Sequence, residues 1–108
     1  MPGYTDVAIH GSPRAFAQTP GAPPLSHRTV ARMIRKSPDY PGGPVRLLSC
    51  NTGQPGATAA RDLANTLGVE VLAPDHKIWA FPNGRLTIGP KASANTGQWV
   101  SFKPGVKP

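Results

Sequence analysis

Short apolar runs, each bounded by proline, glycine or small polar residues, recur along the chain and have the length of buried strands. Three of them predict strands over residues 4–11, about 45–48 and 69–74. The stretches between these runs differ, because their apolar residues recur at helical rather than alternating spacing. The pattern therefore predicts strands that alternate with helices.

Two segments are predicted to be helices. The first begins after Ser26, a residue type that caps helix N-termini, and ends at about Lys36. The second runs from about Pro55 to Leu67, and Gly68 is placed to end it as a C-cap. Because strands alternating with helices form βαβ units, the sequence predicts an α/β fold with a small parallel three-stranded βαβαβ sheet.

The C-terminal third follows a different pattern. Apolar runs over residues 77–81 and 85–88 flank Asn83-Gly84, which is a strong signal for a hairpin turn. A last run over residues 98–102 predicts an edge strand that completes the sheet. Residues 14–24 are rich in proline and glycine and are expected to form a loop.

The length and composition indicate one domain. A chain of 108 residues with 38% hydrophobic residues can bury a single modest core. We predict one domain over residues 1–108, with its core over about 4–102 and a mobile tail over 103–108. No apolar run reaches membrane-spanning length and the N-terminus lacks the signal-peptide pattern, so neither feature is expected.

The charge is strongly positive. Twelve Lys and Arg residues against five Asp and Glu residues give a net charge of +7. Such a chain suits nucleic acid, an acidic membrane surface or an acidic inhibitor protein. The densest group of cations has helical spacing, and its simplest interpretation is a solvated helix face. This cationic cluster consists of Arg28, Arg32, Arg35 and Lys36.

The only cysteine stands where the second apolar run gives way to small polar residues. Cys50 is therefore expected at the carboxyl end of a strand, in the turn leading to a helix N-terminus. Unpaired N–H groups and the helix dipole favour a thiolate at such a place. The alternative is a buried Cys50 that only fills the core. A single cysteine excludes an internal disulfide and an all-cysteine metal site.

His10 closes the first predicted strand as Cys50 closes the second. If these strands are neighbours, both side chains emerge at one edge of the sheet, where a histidine can activate a cysteine nucleophile. The backbone N–H groups of Gly11 and Cys50 are candidate oxyanion donors. Glycine at position 11 leaves room for a substrate carbonyl, because it has no Cβ.

Further polar residues near this edge are candidate oxyanion or substrate contacts. Asp75 and His76 follow the third predicted strand, and either is a candidate third member of the catalytic group. Ser12, Ser49 and Asn51 flank the histidine and the cysteine. No metal is expected, because the ligand-type residues lack the required spacing, and no phosphate-binding loop or other cofactor motif is present.

These motifs carry a family resemblance. A hydrophobic strand followed by His10-Gly11-Ser12, then roughly forty residues, then a hydrophobic strand followed by Ser49-Cys50 resembles the clan CD cysteine peptidases. That clan includes caspases, gingipains and the autoprocessing peptidases of large bacterial toxins. The resemblance covers residues 5–50 and, loosely, the chain to residue 74. It implies a minimal caspase-like sheet, His10 as general acid/base, Cys50 as nucleophile, Gly11 N–H as oxyanion donor, and a protein or peptide substrate.

The second half of the chain resembles another group of proteins. The segments that carry it are similar to modules at the C-termini of bacterial polymorphic toxins, and they are Leu48 to Gly53, Leu67-Gly68-Val69 to Ala73-Pro74, Trp79, Asn83-Gly84 and Trp99 to Gly105. This resemblance implies a secreted or delivered bacterial effector that acts in the target-cell cytoplasm. It also makes an acidic immunity or inhibitor protein a candidate partner.

The sequence leaves two other functions open. One is a basic toxin that attacks nucleic acid, with His10, His76 or His27 as acid/base and the arginines of the cationic cluster on phosphates. The other is a non-catalytic caspase-like interaction module, which predicts a buried and unreactive Cys50. The favoured prediction is a toxin-effector domain with cysteine-peptidase-like or related acyl-transfer activity.

Overall fold

The computed structural model describes residues 3–19 and 21–105, so the last part of the predicted tail, 106–108, lies outside the described residues. The chain forms eight strands and two helices within these ranges. In chain order they are β1 (Thr5–Ala8), β2 (His10–Gly11), β3 (Phe16–Ala17), α1 (His27–Lys36), β4 (Val45–Leu48), α2 (Ala59–Leu67), β5 (Val71–Pro74), β6 (Ile78–Ala80), β7 (Leu86–Ile88) and β8 (Trp99–Phe102).

The main sheet has four strands in the order β1-β4-β5-β8. The strand β4 pairs in parallel with both β1 and β5, and β8 pairs antiparallel to β5. Two further ribbons of two strands each, β2-β3 and β6-β7, lie beside it. The predicted α/β class is confirmed as a small mixed sheet with two helices.

The core lies between one face of the main sheet and the two helices. Side chains alternate between faces along a strand, so every second residue of β4 and β5 points toward the helices. We call this side the helix-covered face and the other side the open face, because neither of the two helices packs there. The buried core includes Val30, Ile34, Val45, Leu47, Leu63, Ala64, Val71 and Ala73.

The ends of the helices follow from local signals. The Ser26 hydroxyl accepts the Thr29 N–H at 3.2 Å, which confirms the predicted N-cap of α1. The helix α2 begins at Ala59 and not at about Pro55, so its predicted start is wrong by one turn. Its end is confirmed, because Gly68 adopts a left-handed conformation, with φ of 74°, and donates its N–H to Ala64 O.

The first predicted strand is interrupted. The chain leaves the main sheet after Ala8, and His10-Gly11 pairs instead with Phe16-Ala17. The prediction that residues 14–24 form only a loop is therefore wrong. The physical reason is Phe16, which is 1% exposed and exchanges two backbone hydrogen bonds with Leu25.

The C-terminal ribbon forms as the turn signal predicts. β6 and β7 pair antiparallel around Asn83-Gly84, with Gly84 at a φ of 86°. The Asn83 side-chain oxygen accepts the Arg85 N–H at 2.9 Å, which fixes the turn. The described residues contain no helix that is both long enough and apolar enough to cross a membrane.

Candidate active site

The register of β1 and β4 brings His10 and Cys50 to one end of the sheet. Ala8 lies opposite Leu48, and the Ile9 N–H donates to Leu48 O at 3.4 Å. His10 and Cys50 each stand two residues beyond this last pair, His10 in the β2-β3 ribbon and Cys50 in the turn after β4. Both residues therefore lie just beyond the carboxyl ends of two neighbouring parallel strands.

A cleft of about 330 Å³ is shared by these two residues. His10 is exposed at its rim, whereas Cys50 is half-buried. Apart from these two and Gln18, the walls are apolar, which reduces the access of water to the sulfur. The remaining lining residues are Ala8, Ile9, Leu48, Ile78, Ala80 and Leu86.

The β6-β7 ribbon forms one wall of the cleft, although the sequence did not predict it as part of the site. Ile78 and Ala80 alternate along β6, and Leu86 lies opposite Ala80. The Cys50 thiol points to Ile78 O at 3.9 Å. The alternation of Ile78 and Ala80 in the sequence indicates that one face of the ribbon is apolar. It does not indicate which part of the molecule that face packs against.

The turn after β4 holds Cys50 against the end of β5. Asn51 adopts a left-handed conformation with φ of 61°, which asparagine tolerates better than most residues. Its N–H donates to His76 O at 3.0 Å, and the Gly53 N–H donates to Pro74 O at 2.9 Å. Asn51 therefore has a backbone role in placing the nucleophile candidate.

The structure indicates a different role for the glycine at position 11 from the predicted one. A Cβ at this position would lie 2.6 Å from Thr52 Cγ2, 3.0 Å from Cys50 O and closer still to Ser49 Oγ. The absent side chain therefore makes room for the turn after β4, and not for a substrate carbonyl. The Ser49 hydroxyl is buried beside Gly11, does not line the cleft, and has no hydrogen-bond partner within the described ranges.

The expected effect of the α2 N-terminus on Cys50 is not supported. The N–H groups of Thr58 and Ala59 both donate to Pro13 O, at 2.8 Å and 3.0 Å. The Ala60 N–H donates to Thr52 O at 3.4 Å. Backbone carbonyls therefore occupy the donors that the sequence analysis assigned to the sulfur.

Asp75 and His76 make structural hydrogen bonds and do not line the cleft. The Asp75 carboxylate accepts the Gln98 N–H at 2.9 Å, which ties the end of β5 to the start of β8. His76 Nδ1 accepts the Lys77 N–H at 2.7 Å, and within the described residues its Nε2 makes no hydrogen bond.

Ser12 lies in the turn between β2 and β3, where its hydroxyl accepts the Ala15 N–H at 3.2 Å. It lines a second cavity of about 330 Å³ together with His10 and Gly11. In the part of the chain that the structure describes, no three His, Cys, Asp or Glu residues lie close enough together to hold a metal ion.

The cationic cluster lies on α1, and none of its four residues lines the cleft. Its four side chains are exposed on α1, whose opposite side packs into the core through Val30 and Ile34. The Arg35 guanidinium donates to Thr66 O, and the His27 ring is 2.9 Å from the Thr66 hydroxyl. The cluster therefore projects away from the helix-covered face, whereas the cleft is on the open face.

The chain belongs to the family DUF8616, described as a domain of unknown function, whose family model matches residues 1–88. The match includes His10, Cys50 and the whole β6-β7 ribbon and ends at Ile88, the last residue of β7. No curated protein and no solved structure matches the chain.

Proposed function

We propose that this DUF8616 domain is a cysteine-peptidase-like hydrolase or acyl-transfer enzyme, with Cys50 as nucleophile and His10 as general acid/base. One observation carries the proposal: His10 and Cys50 follow neighbouring parallel strands and line the same largely apolar cleft. A half-buried sulfur that shares a cleft with an exposed imidazole can use that imidazole as a base toward a substrate bound in the cleft.

The chemistry assigns one role to each residue. The Cys50 thiol gives its proton to the His10 imidazole as the sulfur attacks a substrate carbonyl. The resulting imidazolium gives the proton to the leaving amine, and a thioester remains. Water activated by His10 then hydrolyses the thioester, which releases the carboxylic acid and restores the thiol.

Backbone donors at the same end of the sheet can support the oxyanion. Gly11 lies opposite Phe16 in the β2-β3 ribbon, but both backbone groups of Phe16 bond to Leu25. Phe16 therefore does not accept a hydrogen bond from the Gly11 N–H. The Gly11 N–H and the Cys50 N–H are together the candidate oxyanion donors.

The wider proposal follows the two sequence resemblances. We assign the domain a minimal caspase-like arrangement, supported by the parallel pairing of the strand before His10 with the strand before Cys50. We also assign it the role of the active tip of a delivered bacterial toxin, acting on protein or peptide in the target-cell cytoplasm. Loss of the toxic effect in Cys50→Ala is the expected result in an expression assay.

Alkylation of Cys50 by iodoacetamide tests the dyad directly. We expect His10→Ala to slow alkylation at neutral pH by about tenfold or more, because the imidazole no longer accepts the thiol proton. The matched control is His27→Gln, which removes a histidine far from the cleft and keeps a polar group near Thr66. An alkylation rate equal in all three proteins would overturn the proposal.

The same experiment separates the alternatives. A Cys50 that reacts slowly whatever residue stands at position 10 favours the non-catalytic interaction module. A nuclease that combines His10 with the cationic cluster needs both at one site, and none of the four cationic residues lines the cleft that holds His10. Nuclease activity that survives Cys50→Ala would nevertheless replace the peptidase proposal.

A further inference from the structure

We infer that the free edge of β1, with the groove between β1 and α1, binds an extended basic peptide segment that adds to the sheet as a further strand. The groove shares Ala8 and Ile9 with the cleft but is lined by neither His10 nor Cys50, so the inference does not depend on the proposed activity. Three features of the edge support this inference: the hydrogen-bonding state of β1, the lining of the groove and the sign of its charges.

The first observation is an unpaired strand edge. β1 is the outermost strand of the main sheet, and among the described strands it pairs with β4 alone. The N–H groups of Thr5 and Ile9 donate to Pro44 O and Leu48 O, at 3.0 Å and 3.4 Å. Because backbone groups alternate in a parallel strand, those of Asp6 and Ala8 point away from β4 and are available to another strand.

The second observation is an apolar groove along this edge. A cavity of about 310 Å³ lies between β1 and α1. Met33 borders it and is 41% exposed, and among the described residues it is the exposed large hydrophobic side chain. Adaptable methionine side chains are common on peptide-binding surfaces. The other apolar lining residues are Val7, Ala8, Ile9, Val30, Ile34 and Tyr40.

The third observation is the sign of the charge. The chain carries +7, yet the charged residues that line this groove, among those the structure describes, are the two acids Asp6 and Asp39. Asp6 forms an ion pair with Arg46, whereas Asp39 has no salt bridge within the residues the structure describes. The groove therefore complements a segment whose apolar residues alternate with lysine or arginine.

These charges also select among possible occupants. Antiparallel pairing of two β1 strands would place the acidic groups of both copies side by side, which disfavours a second copy of the chain. A nucleic acid would bring phosphates against the carboxylate of Asp39. An extended basic peptide satisfies the free backbone groups, the apolar lining and the charge together.

The test uses a labelled synthetic peptide that alternates valine and lysine, followed by fluorescence polarisation and by amide hydrogen exchange. We expect binding to slow the exchange of the Asp6 and Ala8 amides, because they acquire acceptors on the peptide. The Ile9 amide is the internal reference, since it already donates to Leu48 O. Protection elsewhere in the chain, or no protection, would overturn the inference.

Two controls separate backbone pairing from charge. A peptide that is N-methylated at alternate residues on its pairing edge keeps its charge and should bind at least about tenfold more weakly. Replacing lysine by glutamate in the peptide should also weaken binding by about tenfold or more.

The matched protein variants are Asp39→Lys, which should lose about tenfold in affinity for the lysine peptide, and Asp62→Lys on α2, which should not. Equal losses in the two variants would mean that only the net charge of the protein matters, and would overturn the site. Dimerisation in place of peptide binding would identify the second copy as the occupant and overturn the stated partner.

Discussion

The two faces of the main sheet differ in the residues they carry and in what covers them. On the helix-covered face, Leu47 and its neighbours are buried against α1 and α2, and no charged side chain interrupts the core. On the open face, the same strands carry Asp6 and Arg46 toward one end and His10 and Cys50 at the other. The helix-covered face therefore holds the main apolar core, whereas the open face carries polar and charged groups and the candidate site.

The polar end of the open face is held by side-chain bonds across the strands. The Tyr4 hydroxyl donates to one Glu70 oxygen at 2.8 Å, and the Ser101 hydroxyl donates to the other. The Arg46 guanidinium lies 5.2 Å from the centre of the Trp99 ring while it pairs with Asp6. These contacts order the open face without a covering helix.

The largest expected difference in the free energy of unfolding is between substitutions of two adjacent residues. Leu47 is fully buried on the helix-covered face, whereas Leu48 lines the cleft and is half-buried. We expect Leu47→Ala to lower the free energy of unfolding by about 2–5 kcal/mol, because it leaves a cavity. Leu48→Ala should cost only about 1 kcal/mol, since less apolar surface is lost. Urea denaturation measures both, and equal costs would contradict the division between the faces.

The next effect concerns the place where the ribbon β2-β3 meets the turn after β4. A methyl group at Gly11 overlaps Ser49 and Thr52, so Gly11→Ala should destabilise the protein by about 1–3 kcal/mol. The matched control is Gly43→Ala, whose new Cβ would lie 3.9 Å from the nearest atom, Gly3 O. An unchanged urea midpoint in Gly11→Ala would show that the Ser49 and Thr52 side chains move aside at little cost in stability.

A smaller effect compares two buried hydroxyls in the same turn. Thr52 Oγ1 donates to Ser49 O at 3.0 Å, and Thr52→Val should cost about 1 kcal/mol through the loss of this bond. The Ser49 hydroxyl has no partner within the described ranges, so Ser49→Ala should leave stability unchanged or raise it slightly. If Ser49→Ala is the more destabilising of the two, the hydroxyl of Ser49 has a partner or function that the structure does not display.

The smallest effect tests the ion pair of the open face. The hydrogen bonds from Arg46 hold the pKa of Asp6 below its ordinary value of 3.8. A carboxyl with a lowered pKa contributes stability above that ordinary value and loses the contribution as the pH falls through its folded pKa. Because the Asp6 side chain is 44% exposed, the contribution should be under about 1 kcal/mol.

The measurement is the difference in unfolding free energy between the protein and Asp6→Asn as a function of pH. We expect the difference to be present at neutral pH and to shrink steadily in acid below pH 3.8. A difference that stays constant across this range would mean that the pair does not contribute through its charge.

Elements fixed by local chemistry could be predicted from the sequence. The cap at Ser26, the left-handed Gly68 and the turn at Asn83-Gly84 each depend on a few neighbouring residues, and each appears where it was expected. The strand order also predicts that His10 and Cys50 follow neighbouring strands, and both line one cleft. The sequence thus indicates the α/β class and the pair of residues at the centre of the candidate site.

Features that depend on distant contacts could not be predicted. The strand at Phe16 exists because a buried ring and Leu25 hold it, which overrides the surrounding prolines. The start of α2 is set by a carbonyl from Pro13, far away in the sequence. The apolar wall formed by Ile78 and Ala80 requires the ribbon to fold over the end of the sheet, which no local pattern specifies.

The close approach of Gly11 to the turn after β4 has an evolutionary consequence. Since a Cβ at position 11 would occupy the space of the Ser49 and Thr52 side chains, relatives that replace this glycine must shrink or move a side chain in that turn. Positions 11, 49 and 52 should therefore change together within the family, although roughly forty residues of chain separate the first from the others. An alignment of family members would then show coupled substitutions that link the strand of the histidine to the turn of the cysteine.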